Sequence, residues 1–347
     1  MKRFLSLDGI RGFLAITVML NHIIGAVGGW KDDRPFSGAY ISVVYFFIMS
    51  GFVLTIAHRN NSNIIKYFFT RLARLMPLHI ITIFLMVIIY YFNSKAGAYV
   101  AGSYVFEPKV LLKNIFFLHG ILPESESFPL VNDPSWSISI EFWCSLLIPL
   151  LAYRVNYTLR FLFSTFGFLF LFYTSNSGVV NFSLYGYFQL LLASFSILMG
   201  SSIADFIRLN ESFSRSVSNN TPLITACVFS CSFGVYMQMH NELDFLFIPP
   251  FLILLFIDCS ERNTFFKRFF SSPVSQYFGK ISFPLYLIHS SIIISGFLYM
   301  ANKGDGHVMF SIMSASAYAI FVSTLYSEFI DMRLYSFLKS KINYYFS

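Results

Sequence analysis

Charge is what this sequence lacks. Asp, Glu, Lys and Arg make up 12% of its 347 residues, against about one quarter in soluble globular proteins. No stretch of about 100 residues carries an ordinary charge density, which excludes a separate soluble domain. Cysteine is scarce as well. Cys144, Cys227, Cys231 and Cys259 lie within or beside apolar runs, and no spacing among them suits a metal. A disulfide framework and a metal site are therefore not expected, and the thiols read as membrane packing. A cleavable leader is also missing: the apolar run behind Met1 to Gly12 contains His22 and has no small-residue cleavage site directly beyond it, so it reads as a first permanent span.

What is abundant is apolar surface. Hydrophobic residues make up 56% of the chain, including 44 Phe and 21 Tyr, a composition whose main solvent is lipid. Ten apolar segments are predicted as spans, at about 10–28, 40–57, 78–93, 137–153, 159–175, 184–203, 222–239, 245–258, 281–300 and 308–330. The stretch from Leu111 to Leu122 is too short to cross and is expected to be re-entrant or interfacial. Counting basic residues orients this map. With the N-terminus inside, the outer loops keep Lys31, Arg34, Lys95, Lys109, Lys113 and Lys303, and the other eighteen of the 24 fall inside. Both termini are thus expected to be cytoplasmic. The net charge of +7 follows from the positive-inside rule and implies no nucleic-acid partner. The expectation is one all-α, polytopic helix bundle over residues 1–347, with no appended extracytoplasmic domain.

The longest outer segment, Asn93 to Trp136, carries Pro108, Pro123, Pro129 and Pro134 with Glu124, Glu126 and Asp133. It is read either as a cover over a substrate entrance or as a plain connector.

Ionisable groups within or at the edges of spans are costly and point to function. Asp8 and Arg11 stand at i, i+3 and can pair on one helix face at the cytoplasmic edge, as part of a site or as a topological anchor. Arg11 and His22 are almost three turns apart on one face, about 16 Å along the axis. His22 reads as a natural general base near neutral pH or as a buried histidine satisfied by a neighbouring span. Glu141 follows the serines of Ser135-Trp136-Ser137-Ile138-Ser139 and enters from the outer side, at the expected depth of His22. There it could orient and stabilise the imidazole, or cap its helix through the dipole. The hydroxyls of Ser135, Ser137 and Ser139 are expected to bond the first amides of that helix. Arg71 and Arg74, at i, i+3 before Pro77, suit phosphate, and positive-inside anchoring explains them equally well. His289 is placed on the same interior or packed in its own span. His119, Glu242 and Asp244 are expected in solvated loops.

Four clusters in order resemble the acyltransferase-3 family of membrane O-acyltransferases. They are Leu7-Asp8-Gly9-Ile10-Arg11-Gly12 with His22, Arg71-x-x-Arg74 before Pro77, Ser135-Trp136-Ser137-x-Ser139-x-Glu141, and Gly279-Lys280-Ile281-Ser282 leading to Tyr286-Leu287-x-His289. The resemblance implies about ten spans in a bacterial inner membrane. It implies acyl-CoA, by family habit acetyl-CoA, as a cytoplasmic co-substrate rather than a bound cofactor. The implied acceptor is a cell-surface glycan or its lipid-linked precursor, such as O-antigen. His22 would then be essential for transfer with Glu141 beside it, Arg11, Arg71 and Arg74 would serve the donor, and Asp8, Ser137, Ser139 and His289 would support them. Some members carry an extra outer domain. Without one, this chain is expected to act alone or with a separate partner protein.

A rival reading from another class is a secondary transporter or glycan flippase. Such proteins tend to show two related halves with broken helices in matching places. Here the charged motifs crowd into residues 8–141, and no such symmetry is found.

Overall fold

The computed structural model describes residues 4–31, 33–58, 63–95, 103–122, 130–152, 154–175, 178–179, 187–237, 239, 241–295 and 308–346. Lys2, Arg3, Arg59, Lys303, Pro123, Glu124, Glu126 and Pro129 lie outside them. The described residues form helices and turns and no strand, as expected for a backbone that must satisfy its own hydrogen bonds in lipid.

The helices are α1 (Leu5–Gly28), α2 (Ile41–His58), α3 (Ile64–Lys95), α4 (Pro108–Ile115), α5 (Ser135–Cys144), α6 (Tyr157–Thr174), α7 (Tyr187–Leu209), α8 (Glu211–Asn219), α9 (Thr221–Tyr236), α10 (Ile248–Leu254), α11 (Phe265–Phe270), α12 (Pro273–Ile294), α13 (Val308–Tyr326) and α14 (Met332–Tyr345). A π-helical turn, Ser327–Asp331, joins α13 to α14 without a break. Among the described residues, eight helical stretches are long and apolar enough to cross a membrane by length and composition. The chain is a multi-pass, all-helical membrane protein.

Two of the segments predicted as spans fall short of that length. The 222–239 segment is the 16-residue α9. The 245–258 segment breaks into short helical pieces around the 7-residue α10. Pro249 and Pro250 supply the reason: proline is tolerated in a first turn but cannot donate the hydrogen bond that would extend the helix through it. The 245–258 segment nevertheless runs the depth of the bundle. Tyr40, just ahead of α2, donates its hydroxyl to Asp244 at 2.9 Å, and Ser6, in the first turn of α1, donates to Asp258 at 2.7 Å. Those anchors sit at opposite ends, called here distal (Tyr40) and proximal (Ser6).

Helices α1 and α12 run parallel, since Arg11 meets Ser282 and His22 meets His289. Their backbones touch: a Cβ on Gly12 would lie 2.5 Å from the Gly279 nitrogen, and one on Gly279 would lie 2.4 Å from the Asp8 carbonyl oxygen. Glycine is required there because nothing larger fits between the two backbones.

The outer segment before α5 does not stay outside the bundle. Asn132 donates to the Leu287 carbonyl of α12 at 3.0 Å, and Asn114 and His119 are fully buried. Helix α4 and its following turn fold back against α3, where His79 donates to the Asn114 carbonyl at 2.8 Å. Helix α5 therefore begins inside the bundle. His119 and Asp244 are buried rather than solvated, whereas Glu242 is exposed as expected.

Candidate active site

A cavity of about 430 Å³ opens among α1, α2, α3, α5 and α12, and its polar lining includes Asp8, Arg11, Ser50, Arg71, Arg74 and Glu141. Each arginine is held by a carboxylate. Arg11 bonds Asp8 at 3.1 Å, within its own helix turn as the spacing required. Arg71 bonds Glu141 at 2.7 Å, and Glu141 also accepts the Ser50 hydroxyl at 2.7 Å. Arg74 reaches across to Asp331 at 2.8 Å, with its guanidinium near the rings of Phe283 and Tyr335. Arg11 further donates from Nε to Ser282 at 3.1 Å.

The expected pairing of Glu141 with His22 is not what the side chains do. Because α5 starts within the bundle, Glu141, six residues along it, lies further toward the proximal end than an outer-surface start would place it. At that depth it meets the arginine of α3. The group that meets His22 is His289, with Nδ1 of His22 2.7 Å from Nε2 of His289. Hydrogen bonding assigns the protons. Nδ1–H of His289 donates to the Leu285 carbonyl at 2.9 Å, so Nε2 of the neutral ring accepts from Nδ1–H of His22. The remaining lone pair of the dyad is on His22 Nε2. On the distal side, Trp30 folds over Gly25 and stands edge-on to His22 at 6.0 Å, with 61% of the residue exposed. Arg34 lies over that indole and bonds Asn21 at 2.9 Å.

Between the cavity and the histidines stands Tyr286. It lines the cavity, its hydroxyl is 2.8 Å from Ser137 Oγ, and its ring is 6.3 Å edge-on from His289. The serines of α5 do not cap the helix. Ser135 donates to the Asn132 carbonyl and Ser137 to the Pro134 carbonyl. Ser139 donates to the Phe117 carbonyl and accepts from the Gly120 amide, so it anchors the buried loop instead of lining the cavity. No cluster of three metal-ligating side chains occurs among the described residues.

Ser50, Trp30 and Asp331 went unmarked in the sequence. Asp331 had a signal, an acid within the last apolar helix; Ser50 had none.

Fold and site together define a polytopic helical membrane protein with an ion-paired cavity at one depth and a histidine dyad at another. The chain belongs to the acyltransferase-3 family: the family model described as an acyltransferase domain matches residues 4–327. Among curated proteins it is similar to "Acyltransferase MdmB" of Streptomyces mycarofaciens, 31% identical over 156 residues, which covers 43% of this chain and 39% of that protein. It is also similar to "Protein 2 in picA locus" of Rhizobium radiobacter, 37% identical over 90 residues, 24% of this chain and 44% of that protein. The chain thus spans less than half the length of each of these relatives. No solved structure matches it.

Proposed function

We propose that the protein transfers an acyl group, acetyl being the favoured one, from acyl-CoA on the cytoplasmic side to a hydroxyl of a glycan or lipid-linked glycan, such as O-antigen, on the outer side of a bacterial inner membrane. The observation that carries this reading is the division of labour along α1 and α12. A cavity with three arginines lies toward the proximal end, a bare histidine lone pair lies about 16 Å further along α1 from Arg11, and Tyr286 stands between them. An extended pantetheine arm has a length of the same order, so a thioester can be presented deep in the bundle while its nucleotide stays at the mouth.

His22 Nε2 takes the proton of the acceptor hydroxyl as the oxygen attacks the thioester carbonyl. The new C–O bond replaces the C–S bond, and the departing thiolate takes up the proton and leaves as CoA thiol. His289 positions the base: its acceptor nitrogen holds His22 Nδ1–H and leaves Nε2 bare, the role a carboxylate fills in other base-and-orienter arrangements. The exposed Trp30 ring gives the acceptor side a flat apolar surface beside the base. Family membership supports acyl transfer over the transporter reading.

The test compares cells expressing the unaltered chain and His22→Ala by mass spectrometry of surface glycans before and after mild base. A base-labile acyl increment made only by the unaltered chain is expected, with a rate loss in the variant of about 10²–10⁴-fold. Undiminished acylation by a folded His22→Ala protein overturns the assignment. His289→Gln should keep part of the activity and move its pH profile, since it acts through His22.

A further inference from the structure

The cavity's arginines arrive with their own counterions: Asp8, Glu141 and Asp331 already hold Arg11, Arg71 and Arg74. Such an interior suits an uncharged chain. A phosphate placed there would enter a cavity already in charge balance, with the carboxylates of Asp8 and Glu141 in its lining to repel it. The phosphates of an acyl-CoA need cations outside the cavity but close to its mouth.

Helix α14 offers them. It carries Arg333, Lys339 and Lys341 and no acidic residue between Met332 and Tyr345. With α13 it forms a 38-residue stretch, Val308–Tyr345. At helical rise that is about 57 Å, far longer than the roughly 30 Å hydrocarbon core, so the cationic end projects beyond it. One face of α14 meets Arg74, a residue of the cavity wall, while no residue of α14 is itself in the lining. Tyr335 lies 5.5 Å from the guanidinium of Arg74, and Lys339, one turn on, holds its ammonium 5.7 Å from the same ring. Lys339 is exposed and makes no ion pair among the described residues. Lys341 lies over Phe337 at 5.8 Å, about 200° around the helix from Lys339.

We propose that the Tyr335–Lys339 face of α14 is the docking site for the phosphorylated nucleotide of the acyl-CoA donor, with Lys339 bonding a phosphate and the Tyr335 ring holding that ammonium beside Arg74. This rests on acyl-CoA being the donor. Anionic lipid headgroups offer the same phosphate chemistry, and the experiment separates the two sources.

The purified full chain, in nanodiscs of phosphatidylcholine with and without phosphatidylglycerol, is titrated with CoA, 3′-dephospho-CoA and pantetheine. Lys339→Ala should weaken CoA about tenfold, the loss of one charge-assisted hydrogen bond, and leave pantetheine binding unchanged. Lys341→Ala should change neither, and Lys339→Arg should retain CoA. Equal losses in Lys339→Ala and Lys341→Ala would reduce the effect to a general field and overturn the site. Unchanged CoA binding in Lys339→Ala would overturn it while the donor reading stands. A Lys339→Ala loss confined to discs with phosphatidylglycerol would assign the face to lipid. Failure of the unaltered chain to bind CoA would overturn the donor reading itself, and the site with it.

Discussion

Arg71 and Arg160 are both buried in spans, both bonded to a carboxylate on another helix, and both tied into a hydroxyl network. Every nitrogen of Arg160 of α6 has a partner: Nε donates to the Val155 carbonyl at 3.2 Å, and the two terminal nitrogens take Ser201 and Asp205 of α7. Ser201 continues the network to Thr55 at 2.8 Å. Arg71 has Glu141 and, through it, Ser50, but its Nε has no hydrogen-bond partner, and the side chain lines the cavity. A charged pair in a membrane helix is therefore not by itself a site. Arg160 has a partner at each nitrogen and holds two helices together, whereas Arg71 keeps its Nε unpartnered on a side chain that lines open volume.

Paired replacement separates the two most strongly. Arg71→Met with Glu141→Leu removes both charges at once, so the fold should survive while acyl transfer falls by at least about a hundredfold through lost positioning. Arg160→Met with Asp205→Leu should also fold, and its glycan ester content should match the unaltered chain. Loss of transfer in that second folded double variant would erase the distinction.

Single replacements sharpen the contrast in stability. Asp205→Leu abandons a guanidinium in solid packing and should cost about 3–5 kcal/mol by denaturant unfolding in detergent. Glu141→Leu leaves Arg71 beside a cavity that water can fill, so its cost should be smaller, about 1–3 kcal/mol. A smaller effect still is expected of Ser139→Ala: about 1 kcal/mol in stability from the loop it anchors, with no change in the pH profile of transfer.

The distal anchor tests a third kind of buried acid, one with no cation. Burial raises the Asp244 carboxyl from 3.8 to about 6, and the Tyr40 hydroxyl and the Val179 amide only partly oppose that rise. Its folded form holds a proton more tightly than the unfolded one. Stability from this group is therefore full below about pH 4 and declines as pH rises toward 6, the reverse of a salt-bridged aspartate. Asp244→Asn should flatten that decline in a thermal-unfolding series across pH 4–7, and an unchanged slope would show that the carboxyl is not its source.

Legibility followed the range of the interaction. The apolar runs of α1, α2, α7 and α12 announced themselves through length and composition, and the Asp8–Arg11 pair through helical period. Where α5 begins was not legible, because the buried loop 130–134 ahead of it reads as an ordinary polar connector; that one error placed Glu141 beside His22 instead of Arg71. The 245–258 segment was legible as an apolar run but not as a broken one, although Pro249 and Pro250 marked the break.

By itself, the sequence determined that this chain lives in lipid, which helices it builds, and which few ionisable residues they carry, because low charge, long apolar runs and the 3.6-residue period are local properties. Only the tertiary structure decided the partners. His22 and His289 are 267 residues apart, and Arg74 and Asp331 are 257 apart. No local periodicity sets such a distance. The close backbone packing at Gly12 and Gly279 brings the first pair together, and the passage of α14 beside α3 brings the second.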